Sequence, residues 1–121
     1  MRTSELKGES LDWAVGIAQG WVVYPEDSIE QGSIFHLDAE KAPFGPIMDV
    51  RNYHPTTNWA QGGPIIEREG ITVGSNLFGD GYIANKGDLD DYGPTPLVAA
   101  MRCFVQSKLG DEIEVPDGIT K

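Results

Sequence analysis

Glycine and proline punctuate this chain so densely, at 15 and 8 of its 121 residues, that it must fold as many turns joining few long elements. The elements between the breakers carry their own start and stop signals. The clearest is a helix over about 96–109. Thr95 stands at its cap, Pro96 falls at the first helical position where its missing N–H costs nothing, and Gly110 ends it. Leu97, Met101, Phe104, Val105 and Leu109 draw an apolar stripe along it, Ala100 admits a close neighbour, and Arg102 and Lys108 are expected to favour its negative end. A second helix is expected over about 11–19. Leu11, Ala14, Val15 and Ala18 follow the i, i+3, i+4, i+7 spacing, widened by Trp13 and Ile17. Ser10 is its expected cap, Asp12 complements its dipole, and Gly20 is its exit.

Short β-rich pieces fill the rest. Trp21–Tyr24 stops at Pro25, with a turn expected at Glu26-Asp27-Ser28, and Ile34–Leu37 follows. Asp38–Tyr53 reads as an ordered loop or variable insertion, because Pro43 and Pro46 leave only the brief apolar piece Ile47–Val50. Tyr53–Trp59 is turn chemistry leading to a helical turn capped by Thr57 or Asn58. Gly62-Gly63-Pro64 reads as a break before one more helical turn over Ile65–Glu69. Ile71–Val73, Gly81–Ala84 and the alternating Glu112–Val115 are strand candidates. The sum is an α+β fold, a small loop-rich antiparallel sheet with two main helices packed on it. Residues 1–121 make one domain, with a variable loop region around 25–50.

Charge and composition exclude several classes. Nineteen acids against nine bases give −10, and such a surface repels phosphate backbones, so direct nucleic-acid binding is not expected. The same charge suits either a solubilising surface or an acidic decoy for a basic site on a nucleic-acid-binding partner. No signal-peptide-like or membrane-spanning apolar run occurs, so no membrane partner and a cytoplasmic location are expected. The single cysteine, Cys103, excludes an internal disulfide framework.

No motif of established chemistry is present. An EF-hand loop starting at Asp88 would need an oxygen ligand where Tyr92 stands and Glu where Ala99 stands. Asp88–Asp91 therefore reads as a solvated loop, with Asp90 and Asp91 near the positive end of the next helix. His36 and His54 show no metal-ligand spacing, and no phosphate-cradling or nucleophile-elbow motif occurs, so no metal or cofactor is expected. The richest stretch is Tyr53–Glu69. Tyr53 and Trp59 offer flat faces with polar edges, and Gly62-Gly63 allow a close backbone approach to a ligand.

Several blocks resemble the NinX-type proteins of tailed bacteriophages, a small family of unknown function. They are Thr3-Ser4-Glu5-Leu6 before Leu11–Val15, then Tyr53-His54-Pro55-Thr56-Thr57-Asn58-Trp59, Gly63–Glu67, Gly93–Arg102 and Lys108-Leu109-Gly110. They keep the family's order and span nearly the whole chain. Pro25–Val50 matches least, and Thr57 stands where the pattern leads one to expect Ser. The resemblance implies a phage-encoded accessory protein acting in the host cytoplasm, and it supplies no catalytic residues.

The resulting expectation is a non-enzymatic binding module that captures a small, nucleotide-like host molecule or a host protein during infection. The expected site lies between the central segment and the last helix. There Tyr53 and Trp59 would stack on the ligand, Thr56, Thr57, Asn58, Gln61, Gly62 and Gly63 would hydrogen-bond it, and Arg102 would pair with an anion. The alternatives are an acidic decoy for a basic host protein and a small hydrolase using His54 or Asp88–Asp91. Exposed Trp or Tyr side chains would also favour a homo-oligomer.

Overall fold

The computed structural model describes residues 1–24, 34–36, 47–49 and 53–115. The turn expected at Glu26-Asp27-Ser28 and most of the 25–50 region lie outside the described residues. A 3-10 turn at Thr3–Glu5 leads into α1 (Gly8–Ala18), followed by strands β1 (Val22–Tyr24), β2 (Ile34–His36) and β3 (Ile47–Asp49). The order continues α2 (Trp59–Glu69), β4 (Thr72–Ser75), β5 (Tyr82–Lys86), β6 (Leu89–Gly93) and α3 (Pro96–Leu109). The described strands form two antiparallel three-stranded sheets, β1-β2-β3 and β4-β5-β6, which together with the helices make the expected α+β fold.

The last helix organises the core. Its Thr95 hydroxyl accepts from the Val98 N–H at 3.1 Å, Pro96 opens it, and Gly110 leaves it at φ 88°. The helix lies across β4-β5-β6 and receives α1 and α2 on its flanks. Leu6, Leu11, Val15, Ile65, Ala84, Met101, Phe104 and Val105 meet there, all buried. The chain end is tied down beside it: the Thr3 hydroxyl donates to Gly110 O at 2.7 Å, and the Thr3 N–H donates to Asp111 O at 2.8 Å.

Several expectations are corrected. The first helix starts at Gly8, and Ser10 does not stand at its cap. From the first turn Ser10 Oγ donates to Lys7 O at 2.7 Å and accepts from the Lys7 N–H at 3.2 Å. Gly62-Gly63-Pro64 does not break the chain but lies inside an 11-residue helix, capped by Asn58 Oδ1 on the Ala60 N–H at 2.9 Å and left at Gly70 with φ 65°. Ile47–Asp49 is a strand paired with β2, not loop. The acidic run is likewise strand β6, whose alternation turns Leu89 and Asp91 inward and Asp90 and Tyr92 outward. Glu112–Val115 is no strand: it makes one isolated bridge, from Glu112 to Arg2.

Candidate functional site

The segment from Tyr53 to Gly63 is a turn locked onto α1 and running into α2. Its keystone is Asp12, which is only 6% exposed. Asp12 Oδ1 accepts from the Thr56 N–H at 3.0 Å and from the Thr56 hydroxyl at 2.7 Å, and Oδ2 lies 3.4 Å from His54 Nδ1. The His54 carbonyl accepts from the amides of Thr57 and Asn58, and the His54 N–H donates to Gln61 Oε1. Tyr53 is buried against the Trp21 ring at 4.8 Å between centroids, and its hydroxyl accepts from Gln19 Nε2 at 2.6 Å.

This arrangement reassigns most of the expected ligand contacts. Tyr53 offers no flat face to a guest, and Thr56, Asn58 and Gln61 are bonded within the fold. The Gly62 N–H donates to Asn58 O at 2.9 Å. Gly62 is also where the segment closes on α3: a Cβ there would lie 2.4 Å from Pro55 O and 2.7 Å from Leu97 Cδ2. Gly63 lies beside Trp59, with a Cβ position 3.8 Å from Cε3. Thr57 is exposed, and Trp59, at the first residue of α2, is 57% exposed.

Arg102 is placed elsewhere. It lies in mid-helix, not in the last turn of α3, and its Nε and Nη1 donate to Leu6 O at 2.9 Å and Tyr92 O at 2.8 Å. It lines a shallow cleft of about 450 Å³ with Asp80, Gly81, Tyr92, Gly93 and Pro94, none of which comes from the central segment. Two features had no counterpart in the sequence reading. Asp12 meets Thr56 across 44 residues, a contact that only the tertiary fold creates. Leu77 and Phe78, at the β4–β5 turn, were signalled only by the turn-forming Asn76 and Gly79-Asp80-Gly81 around them.

Chemically, the Asp12–His54 contact orients an imidazole, as in an acid–base pair. The nearest hydroxyl, that of Thr56, is already donating to Asp12 and is not poised as a nucleophile. No group of three or more His, Cys, Asp or Glu among the described residues could hold a metal ion. No described helix is long and apolar enough to cross a membrane.

Burial raises the Asp12 carboxyl above its ordinary value, and the Thr56 hydrogen bonds and the His54 contact offset this only in part. Burial raises Asp91 too, against the Tyr92 amide and the Arg102 charge, and its Oδ2 has no partner among the described residues. Glu69 goes the other way. Burial would raise it, but hydrogen bonds and charge from Arg68 and Lys108 outweigh that and lower it. A carboxyl raised on folding holds its proton more tightly in the folded chain. Its stabilising contribution is therefore present in acid and is lost as pH rises through the folded value, whereas that of Glu69 is lost as pH falls. Glu69, lowered from 4.5, acts only in more acid solution, so above about pH 5 only the two raised Asp carboxyls weigh, and chemical denaturation should give an unfolding free energy that falls as the pH rises from there. Asp91→Asn should remove part of that fall, and an unchanged pH profile in this variant would contradict the assignment.

The family model for Bacteriophage P22, NinX, matches residues 2–108, from the 3-10 turn almost to the end of α3. The chain belongs to the NinX family of phage proteins. The match takes in the Asp12–Thr56 lock, the exposed Trp59 and the Arg102 cleft, and family membership makes this a phage accessory protein. Comparison with curated proteins gives no match.

Proposed function

We propose that this NinX-family protein is a non-enzymatic binding module that captures a basic host protein in the host cytoplasm, with the Trp59 indole as its anchor. The observation that carries the proposal is an indole 57% exposed on a turn that is otherwise hydrogen-bonded into the fold. A nucleotide-sized guest would need directional donors around the ring. Of those expected there, the Thr56 hydroxyl and the Gly62 N–H are engaged within the fold, Arg102 belongs to another cleft, and Thr57 stands exposed. A protein partner needs less. Large aromatic side chains held rigidly at a surface are the usual anchors of protein interfaces, where burying the ring supplies most of the energy. The net charge of −10 then selects a basic partner and speeds encounter with it.

The test pairs two measurements on the wild type and Trp59→Ala. Thermal shift with a panel of nucleotides should show no saturable stabilisation. Calorimetric titration with the basic host protein captured from extract should show binding that weakens with added salt. Trp59→Ala should weaken it a further ~10–100-fold, as loss of an interfacial aromatic anchor does. Nucleotide stabilisation that disappears in Trp59→Ala would instead establish small-molecule capture and overturn the proposal.

A further inference from the structure

The β4–β5 turn holds two large apolar side chains in water: Leu77 is 87% and Phe78 99% exposed. The turn around them is pinned. Asn76 Oδ1 accepts from the Phe78 N–H at 3.1 Å, the Asn76 N–H donates to Gly81 O at 3.1 Å, and its side-chain amide reaches Asp80 O at 3.4 Å. Neither Leu77 nor Phe78 packs into the core of its own copy, so the turn presents an apolar knob. Beside it lies the cleft of about 450 Å³ lined by Asp80, Gly81, Tyr92, Gly93, Pro94 and Arg102. Gly81 and Gly93 pack backbone to backbone in its lining, a Cβ on Gly81 falling 2.6 Å from Gly93 O, so the wall of the cleft there is bare main chain. The half-exposed Tyr92 ring borders it, and Arg102 brings positive charge.

We propose that this patch is self-complementary. Two copies associate about a two-fold axis, with Phe78 of each seated in the cleft of the other and Asp80 of each facing the other's Arg102. A knob and a hollow side by side on one surface are what an isologous contact requires, because the two-fold brings each to the other. The acid and the base give the contact local charge complementarity, while the −10 on each copy repels at longer range. The tip is small beside the ~800 Å² per partner of a standard interface, so the dimer is a weak, reversible one. The inference goes beyond host-protein capture, does not use Trp59, and carries the opposite salt signature. Screening the repulsion strengthens the dimer, whereas it weakens the hold on a basic partner.

Sedimentation equilibrium of the purified chain at about 0.1 M and about 0.5 M NaCl tests this. The expected result is a monomer–dimer equilibrium that tightens at the higher salt. Phe78→Ser should raise the dissociation constant by ~100-fold, since two rings are withdrawn per dimer, and should leave the melting temperature of the monomer unchanged. Asp80→Lys, which sets like charges face to face, should also favour the monomer. A single-chain mass at all concentrations in both salts overturns the proposal, as does a dimer indifferent to Phe78→Ser. So does a Phe78→Ser variant that loses a host protein without any change in its own mass, because the knob then docks a different chain.

Discussion

Asp12→Ala should lower the melting temperature by roughly 10 °C, a loss of about 3 kcal/mol at about 3–4 °C per kcal/mol for a domain of this size. The substitution strips the acceptor from the buried Thr56 N–H and hydroxyl at once. A buried donor left without a partner costs about 1–3 kcal/mol, and the relief of Asp12's own desolvation, evident in its raised pKa, returns only part of this. Asp12→Asn separates hydrogen bonding from charge, because its amide oxygen can accept both Thr56 donors. It should therefore lose about 1 kcal/mol, a third of the alanine effect. The alanine variant should also lose Trp59-dependent binding, since Asp12 fixes the turn that delivers the indole. Equal losses for Asn and Ala in calorimetric melts would show that charge, not acceptor geometry, holds the turn.

Gly62→Ala should destabilise by about 1–2 kcal/mol although alanine is the better helix former. Propensity alone favours the change by about 1 kcal/mol. Against that, the new Cβ would fall 2.4 Å from the Pro55 carbonyl oxygen and 2.7 Å from Leu97 Cδ2. Leu97 can turn aside, but the backbone carbonyl cannot move without shifting the turn that holds Thr56, and overpacking of this kind costs about 1–3 kcal/mol or more. The neighbouring Gly63→Ala is the internal control. Its Cβ meets only Trp59 Cε3 at 3.8 Å, an ordinary contact. The propensity gain there is offset by crowding against Pro64, so the variant should stay within about 1 kcal/mol of the wild type. Denaturant unfolding of both variants checks the contrast, and similar values for the two would contradict the packing assigned to Gly62.

What could be read from the amino acids follows how local the signals are. The ends of α3 were legible because Thr95, Pro96 and Gly110 act on their own turns. Asn58, named as a possible cap, is one. α2 was missed because two glycines and a proline read as a break. Here, however, Gly62 stands where only a glycine fits against Pro55 and Leu97, and Pro64 lies on the exposed face. β6 was missed because its central inward position is Asp91, a charge where the alternating pattern demands an apolar side chain. Tyr53–Trp59 was recognised as the informative segment, yet which of its side chains face outward depends on Asp12 and α1, more than forty residues away. The separation of Arg102 from that segment likewise depends on how β6 crosses α3, which no spacing in the chain encodes.

The central claim is that Trp59 stands at the surface as the contact point for another protein. Replacing it with a photo-crosslinking phenylalanine analogue and irradiating infected host cells tests this most directly, with the same analogue at the exposed Asp111 as control. The predicted result is a covalent adduct with one basic host protein from position 59, absent from position 111 and diminished by the unlabelled wild type but not by Trp59→Ala. No protein adduct from position 59, together with a nucleotide that stabilises the wild type and not Trp59→Ala, would contradict the account.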